Sequence, residues 1–99
     1  MARTLPEVQQ DLSPVAASLE QLGKLVRNRR AQSRMRIDDA ASLSGVSSDV
    51  LSRLENGKPV TADKLMLVLE SLGLRMLLVP KADIPALAAL LGLSESEDH

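Results

Sequence analysis

The stretch from Ile37 to Asn56 constrains the fold more than any other part of this 99-residue chain. Two short segments of apolar residues at helical spacing flank Gly45, and glycine readily adopts the positive φ angle that a sharp turn requires. Ala41 precedes this turn and is small enough for two helices to cross closely. We therefore predict two short helices joined by a tight turn, the second anchored by three apolar side chains: Val46, Leu51 and Leu54.

Capping and periodicity signals extend the helical prediction in both directions. Ser13-Pro14 is a helix-start signal and predicts a first helix over about 14–33. The helices of the central stretch cover about 37–44 and 48–56, and Thr61 opens a further helix that stops at Gly73. A last short helix is predicted over 83–91. The expected organisation is a flexible arm over 1–13, a helical domain over 14–73, a strand over 74–80, and a short helix with an acidic disordered tail over 81–99.

The apolar run between Gly73 and Pro80 differs from the rest of the chain. It is too short for a buried helix and predicts a strand. A lone strand leaves its backbone groups unpaired, and the sequence offers no second strand, so we expect it to pair with the same strand of another copy. The expected fold is mainly α, with a C-terminal β-strand that pairs across a homodimer. The predicted dimer contacts are Leu74, Met76, Leu77, Leu78 and Val79.

The net charge of −1 conceals an uneven distribution of charge. Six basic residues fall between positions 24 and 36 with no acid among them. A phosphate backbone responds to local charge, so this segment favours a polyanionic partner. The alternative is an ordinary solvated helix surface. The six residues are Lys24, Arg27, Arg29, Arg30, Arg34 and Arg36.

Several classes of function are disfavoured by composition. The chain has no cysteine and a single histidine, so we expect neither an enzyme nor a metal site or other cofactor. The absence of aromatic residues disfavours RNA and single-stranded nucleic acid, which proteins bind by stacking. No secretory signal or membrane span is evident, so the expected location is the cytoplasm, at the nucleoid.

The segment Gly45–Gly57, with the sequence GVSSDVLSRLENG, resembles the signature of Cro/C1-type (XRE) helix-turn-helix regulators, and the resemblance covers about 22–72. It implies a lambda-repressor-like helical domain that binds double-stranded operator DNA through the second helix of the motif. Many members have Gln, a phosphate ligand, where this chain has Ile37. Residues 72–79 also resemble the C-terminal strand of HipB-type antitoxins, which pair across a dimer, repress their own operon and bind a HipA-type kinase toxin.

The resemblance assigns candidate roles to individual residues. Arg53 leads for base contact because Arg to guanine is the commonest specific contact, with an ion pair to Asp49 as the alternative. Glu55 is expected to pair with an arginine of the first helix instead of DNA. The candidates for base contact are Ser48, Asp49, Ser52 and Arg53. The candidates for phosphate contact are Arg29, Arg30, Arg34, Arg36, Ser47 and Lys58.

Three functional hypotheses remain open at this point. The leading one is a homodimeric, DNA-binding repressor, which the resemblance narrows to an autorepressing HipB-like antitoxin with a HipA-like kinase as a further partner. A stand-alone XRE-type regulator is the first alternative. The second is a protein-interaction module that keeps the fold without binding DNA.

Overall fold

The structure is a computed structural model that describes residues 5–92, and within them it contains five α-helices and no strand. The mainly α class is therefore confirmed, whereas the predicted acidic tail lies almost entirely outside the described residues. A single turn of 3-10 helix at Lys81–Asp83 leads into the last helix. The helices are α1 (Leu19–Gln32), α2 (Ile37–Ser44), α3 (Ser48–Glu55), α4 (Ala62–Ser71) and α5 (Ile84–Leu90).

Helix α1 begins later than the sequence predicted. Its N-cap is Ser18, whose hydroxyl accepts a hydrogen bond of 3.1 Å from the Gln21 backbone N–H. Ser13 caps only a local turn, since its hydroxyl accepts from the Val15 backbone N–H at 3.2 Å. The predicted start at residue 14 is wrong because two serines offer similar caps and only Ser18 is followed by helix.

The segment before α1 is attached to that helix. The Gln9 backbone N–H donates to Asn28 Oδ1 at 2.7 Å, and Asn28 Nδ2 donates back to the Gln9 carbonyl at 3.1 Å. Residues 5–9 therefore lie against the domain, although the sequence predicted a flexible arm. We call residues 5–9 the N-terminal arm.

The core forms where α1, α2, α3 and α4 meet. Helix α1 crosses α3 at Gly23, where an added Cβ would lie only 2.4 Å from the Leu54 carbonyl oxygen. This close approach leaves room for glycine alone, and it joins the two helices without an intervening side chain. Ala41, the small residue predicted beside the turn, is buried. The buried apolar cluster comprises Val26, Ala40, Ala41, Leu51, Leu54, Val68, Leu69 and Leu72.

Residues 74–80 form no regular secondary structure, so the predicted strand is not present. A strand needs a partner to satisfy its backbone donors and acceptors, and the described part of the chain supplies none. Leu74 packs against the core cluster. The other predicted dimer contacts are exposed or half-buried in this single chain: Met76, Leu77, Leu78 and Val79.

None of the helices within residues 5–92 combines the length and the apolar character that a bilayer span requires.

Candidate DNA-binding surface

The turn between α2 and α3 is built as the sequence predicted. Gly45 ends α2 with a φ of 76°, in the left-handed region. The following Val46 N–H donates to the Ala41 carbonyl at 3.0 Å, which closes the turn. Ser47 then caps α3, because its hydroxyl accepts from the Val50 N–H at 3.0 Å. These hydrogen bonds fix the residue at which α2 ends and the residue at which α3 begins.

Helix α3 has one buried and one open side. Leu51 and Leu54 are buried in the core, while the four candidates for base contact occupy the other side. They fall into two pairs spaced four residues apart, which places them next to one another on a helix surface. Among them, Asp49 and Arg53 are exposed, and Ser48 and Ser52 are half-buried. The structure therefore brings all four predicted residues to one face.

The contacts on this face leave it largely open. Ser48 Oγ donates to Asp38 Oδ1 at 2.8 Å, which ties the start of α3 to that of α2. Arg53 Nη2 donates to the Pro59 carbonyl at 3.0 Å, and no ion pair with Asp49 is found among the described residues. A guanidinium carries five N–H donors, so Arg53 keeps most of its hydrogen-bonding capacity for a ligand.

Arg30, one of the predicted phosphate contacts, forms hydrogen bonds within the protein. Its Nε and Nη2 donate to the two carboxylate oxygens of Glu55 at 2.6 and 2.8 Å, and its Nη1 donates to the Met35 carbonyl at 2.9 Å. The two charged side chains are only 7% and 5% exposed. The expected pairing of Glu55 with an arginine of the first helix is confirmed. A bidentate pair of this kind joins α1 to the end of α3.

Arg29 also forms hydrogen bonds within the domain. Its Nε donates to the Leu72 carbonyl at 2.7 Å, at the end of α4, and Nη1 donates to Gln32 Oε1 at 3.3 Å. A cation at a helix C-terminus satisfies carbonyl groups that lack a partner within the helix. We therefore place Arg29, like Arg30, among the residues that hold the helices together.

The remaining phosphate candidates lie on the surface. Arg34 occupies the turn after α1 with a φ of 56°, and Arg36 precedes α2 as its N-cap residue. Lys58 follows α3. These three side chains are exposed, and the hydroxyl of Ser47 still has its proton to donate. They stay predictions for contact with the DNA backbone.

A notch of about 260 Å³ between α1, α2 and α3 brings in two residues that were not among the predicted site residues. Arg27 lies on the same stripe of α1 as Gly23 and Arg30, with spacings of four and three residues that place them on one face. That spacing was the signal available in the sequence. Asn56, just after α3, is the second. The notch is lined by Leu5, Arg27, Arg30, Arg36, Ile37, Ser52, Glu55 and Asn56.

Residues 21–99 match the family described as "Helix-turn-helix domain". The chain belongs to this helix-turn-helix family. The solved structure of the clp gene regulator ClgR from C. glutamicum is 34% identical to it, covers 74% of this chain and 90% of that chain, and has a TM-score of 0.52. Comparison with curated proteins gave no match. The two matches support a DNA-binding transcriptional regulator, and neither distinguishes a HipB-like antitoxin from other regulators.

In this helix-turn-helix protein, Ile37 is half-buried and packs against the core. It therefore contributes to stability and has no polar atom in its side chain to bind a phosphate. Arg36 is the adjacent residue, exposed and with no side-chain cap hydrogen bond at the start of α2. The position next to Ile37 thus offers a cation where the resemblance led us to expect Gln.

Proposed function

We propose that the chain is a sequence-specific transcriptional regulator that places α3 in the major groove of double-stranded operator DNA. The observation that carries this proposal is the open face of α3, where Arg53 lies beside three short polar side chains. The opposite side of this helix is packed in the core through Leu51 and Leu54. An Arg side chain can donate two hydrogen bonds to guanine O6 and N7. Arg36 and Lys58 add exposed positive charge just before α2 and just after α3.

A binding assay with its own upstream DNA tests this function. The affinity for the upstream duplex and for a scrambled duplex would be measured at two salt concentrations. We expect the affinity to fall as salt rises, because binding releases counterions from the DNA. Arg53→Ala is expected to remove about 1–3 kcal/mol of discrimination between the two duplexes. Lys64→Ala is the control, because Lys64 is a cation on α4, outside both α3 and the segment after Gly73.

Two outcomes would count against the proposal in different ways. A wild-type chain that forms dimers but shows no salt-dependent shift of any duplex would favour the protein-interaction module. Equal loss of discrimination in the Arg53→Ala and Lys64→Ala variants would show that Arg53 has no special part in specificity.

We further propose that the chain acts as a homodimer. Two recognition helices on a palindromic operator lie about 34–36 Å apart, which a single copy cannot supply. Support comes from the segment after α4, where Leu77 is 69% and Leu78 is 89% exposed. Apolar surface of this kind favours association because burial removes it from water.

Light scattering tests the dimer directly. The wild type should have roughly twice the chain mass of 10.6 kDa. A variant carrying Leu77→Ser and Leu78→Ser should have the mass of one chain and a similar circular dichroism spectrum. A wild-type mass of 10.6 kDa at high protein concentration would contradict the dimer.

A short segment of sequence distinguishes the antitoxin hypothesis from the stand-alone regulator. Beyond the shared domain, the HipB resemblance was carried only by the short apolar run over residues 72–79. A stand-alone regulator needs no strand there, and the similar ClgR is described as a clp gene regulator. We therefore propose the stand-alone form. A HipA-type kinase encoded beside this chain and copurifying with it would restore the antitoxin hypothesis.

A further inference from the structure

The N-terminal arm lies on the surface that DNA must approach under the proposed function. Leu5 lines the notch together with Arg36, Ile37 and Ser52. Arg36 is a candidate for phosphate contact, and Ser52 belongs to the open face of α3. The arm thus reaches the border between α2 and α3 from the side of α1.

The rest of the arm covers the adjoining part of α1. Glu7 and Gln9 line a neighbouring cavity with Lys24, Arg27 and Asn56. The two hydrogen bonds between Gln9 and Asn28 fix the arm in this position. These contacts are specific to one place on α1 and would break if the arm moved away.

Charge favours the same arrangement. The N-terminal arm contains one acid, Glu7, and no base. The surface beneath carries Lys24, Arg27 and Arg36, while Glu55 is neutralised by Arg30. Glu20 also lines the second cavity and lowers the positive charge without cancelling it. The Glu7 carboxylate thus lies beside a basic surface that would also suit the anionic backbone of DNA.

We propose that the N-terminal arm is an autoinhibitory segment that competes with the DNA backbone for the notch. This inference rests on the proposed DNA-binding function. DNA binding then requires the arm to leave Arg27 and Arg36. The measured affinity is therefore the intrinsic affinity multiplied by the fraction of molecules in which the arm is released. We expect this competition to be insensitive to base sequence, because Arg27 and Arg36 would bind phosphates and not bases.

The Asn28→Ala variant of the full chain tests this competition. It removes both hydrogen bonds to Gln9 and leaves α3 intact. We expect tighter binding to both upstream and scrambled duplexes by about tenfold, because the arm loses two hydrogen bonds of modest net strength. Gln10→Ala, an exposed change next to Gln9, should bind like the wild type.

Amide hydrogen exchange gives a second readout on the wild type. The Gln9 amide donates to Asn28 in the free protein, so adding saturating duplex should accelerate its exchange. Unchanged or slower exchange of this amide would overturn the proposal. So would an Asn28→Ala variant that binds DNA no more tightly than the wild type. Weaker binding by that variant would indicate that the arm contacts DNA. A wild type that binds no DNA would overturn the proposed function and this inference together.

Discussion

The helices over 19–71 and the segment after Gly73 contain the same kinds of apolar side chain with opposite results. In the first region Leu51 and Leu54 are almost completely buried between α1, α2 and α4. In the second, Leu78 is 89% and Leu90 is 83% exposed. Apolar character alone does not decide burial, because a side chain also needs a partner surface within reach. We interpret the first region as the self-sufficient fold and the second as surface for association.

The largest effect is expected at the buried ion pair. Glu55→Ala should lower the free energy of unfolding by about 3–5 kcal/mol, since it leaves the Arg30 charge buried without a partner. Urea denaturation measures this loss. The matched change in the exposed pair at the end of the first region, Glu70→Ala, should have little effect, because Arg75 and Glu70 are 3.7 Å apart and exposed. A similar decrease in the free energy of unfolding in both variants would contradict the account, which gives the buried ion pair a larger effect than the exposed one.

A pair of leucines compares the two regions directly. Leu51→Ala should cost about 2–5 kcal/mol in unfolding free energy, because it opens a cavity in the core. Leu78→Ala should change that free energy by about 0.5 kcal/mol or less under conditions that keep the chain monomeric. Its effect should appear as weaker dimerisation in sedimentation experiments. A large loss of monomer stability from Leu78→Ala would show that the segment belongs to the fold.

Two glycines of the first region are required for different reasons: Gly23 for lack of space and Gly45 for its positive φ angle. Gly23→Ala places a Cβ 2.4 Å from the Leu54 carbonyl oxygen, and overpacking typically costs about 1–3 kcal/mol. Gly45→Ala meets no neighbouring atom, but its φ of 76° should cost about 1–2 kcal/mol. Thermal unfolding measures both losses, and amide hydrogen exchange distinguishes their causes, because only Gly23→Ala should loosen the contact between α1 and α3. If Gly23→Ala proved neutral, the close crossing of these helices would be contradicted.

The smallest effect concerns the exposed start of α4. A hydrogen bond from the Thr61 hydroxyl lowers the pKa of Asp63 below its ordinary value. The folded-state pKa is then below the unfolded one, so the carboxylate adds stability above the unfolded pKa and loses it as pH falls through the folded pKa. Asp63→Asn should therefore reduce the unfolding temperature slightly at neutral pH and not in strong acid. A reduction of equal size at both pH values would exclude ionisation as the cause.

The sequence predicted best where a local requirement fixes the structure. The positive φ at Gly45 and the cap at Ser47 need no information from distant residues, and α2 and α3 were placed within a residue of their observed ends. The roles of Arg29 and Arg30 were not predictable in this way. Neighbouring arginines on one helix look equivalent until the positions of Glu55 and Leu72 are known.

The C-terminal segment shows the same limit more strongly. An apolar run bounded by glycine and proline predicted a strand over 74–79, yet strand formation depends on a partner that one chain does not provide. The N-terminal arm was likewise invisible to periodicity, because Gln9 and Asn28 are distant in sequence. Long-range pairs of this kind are absent from any local pattern.

One titration tests the central claim, that the open face of α3 binds DNA while the segment after Gly73 serves association. Backbone amide NMR shifts would be followed as upstream duplex is added to the full chain at low salt. The account predicts saturable shifts concentrated over 47–58 and around Arg27 and Arg36, with residues 74–92 little changed. The absence of shifts, or shifts confined to 74–92, would contradict it.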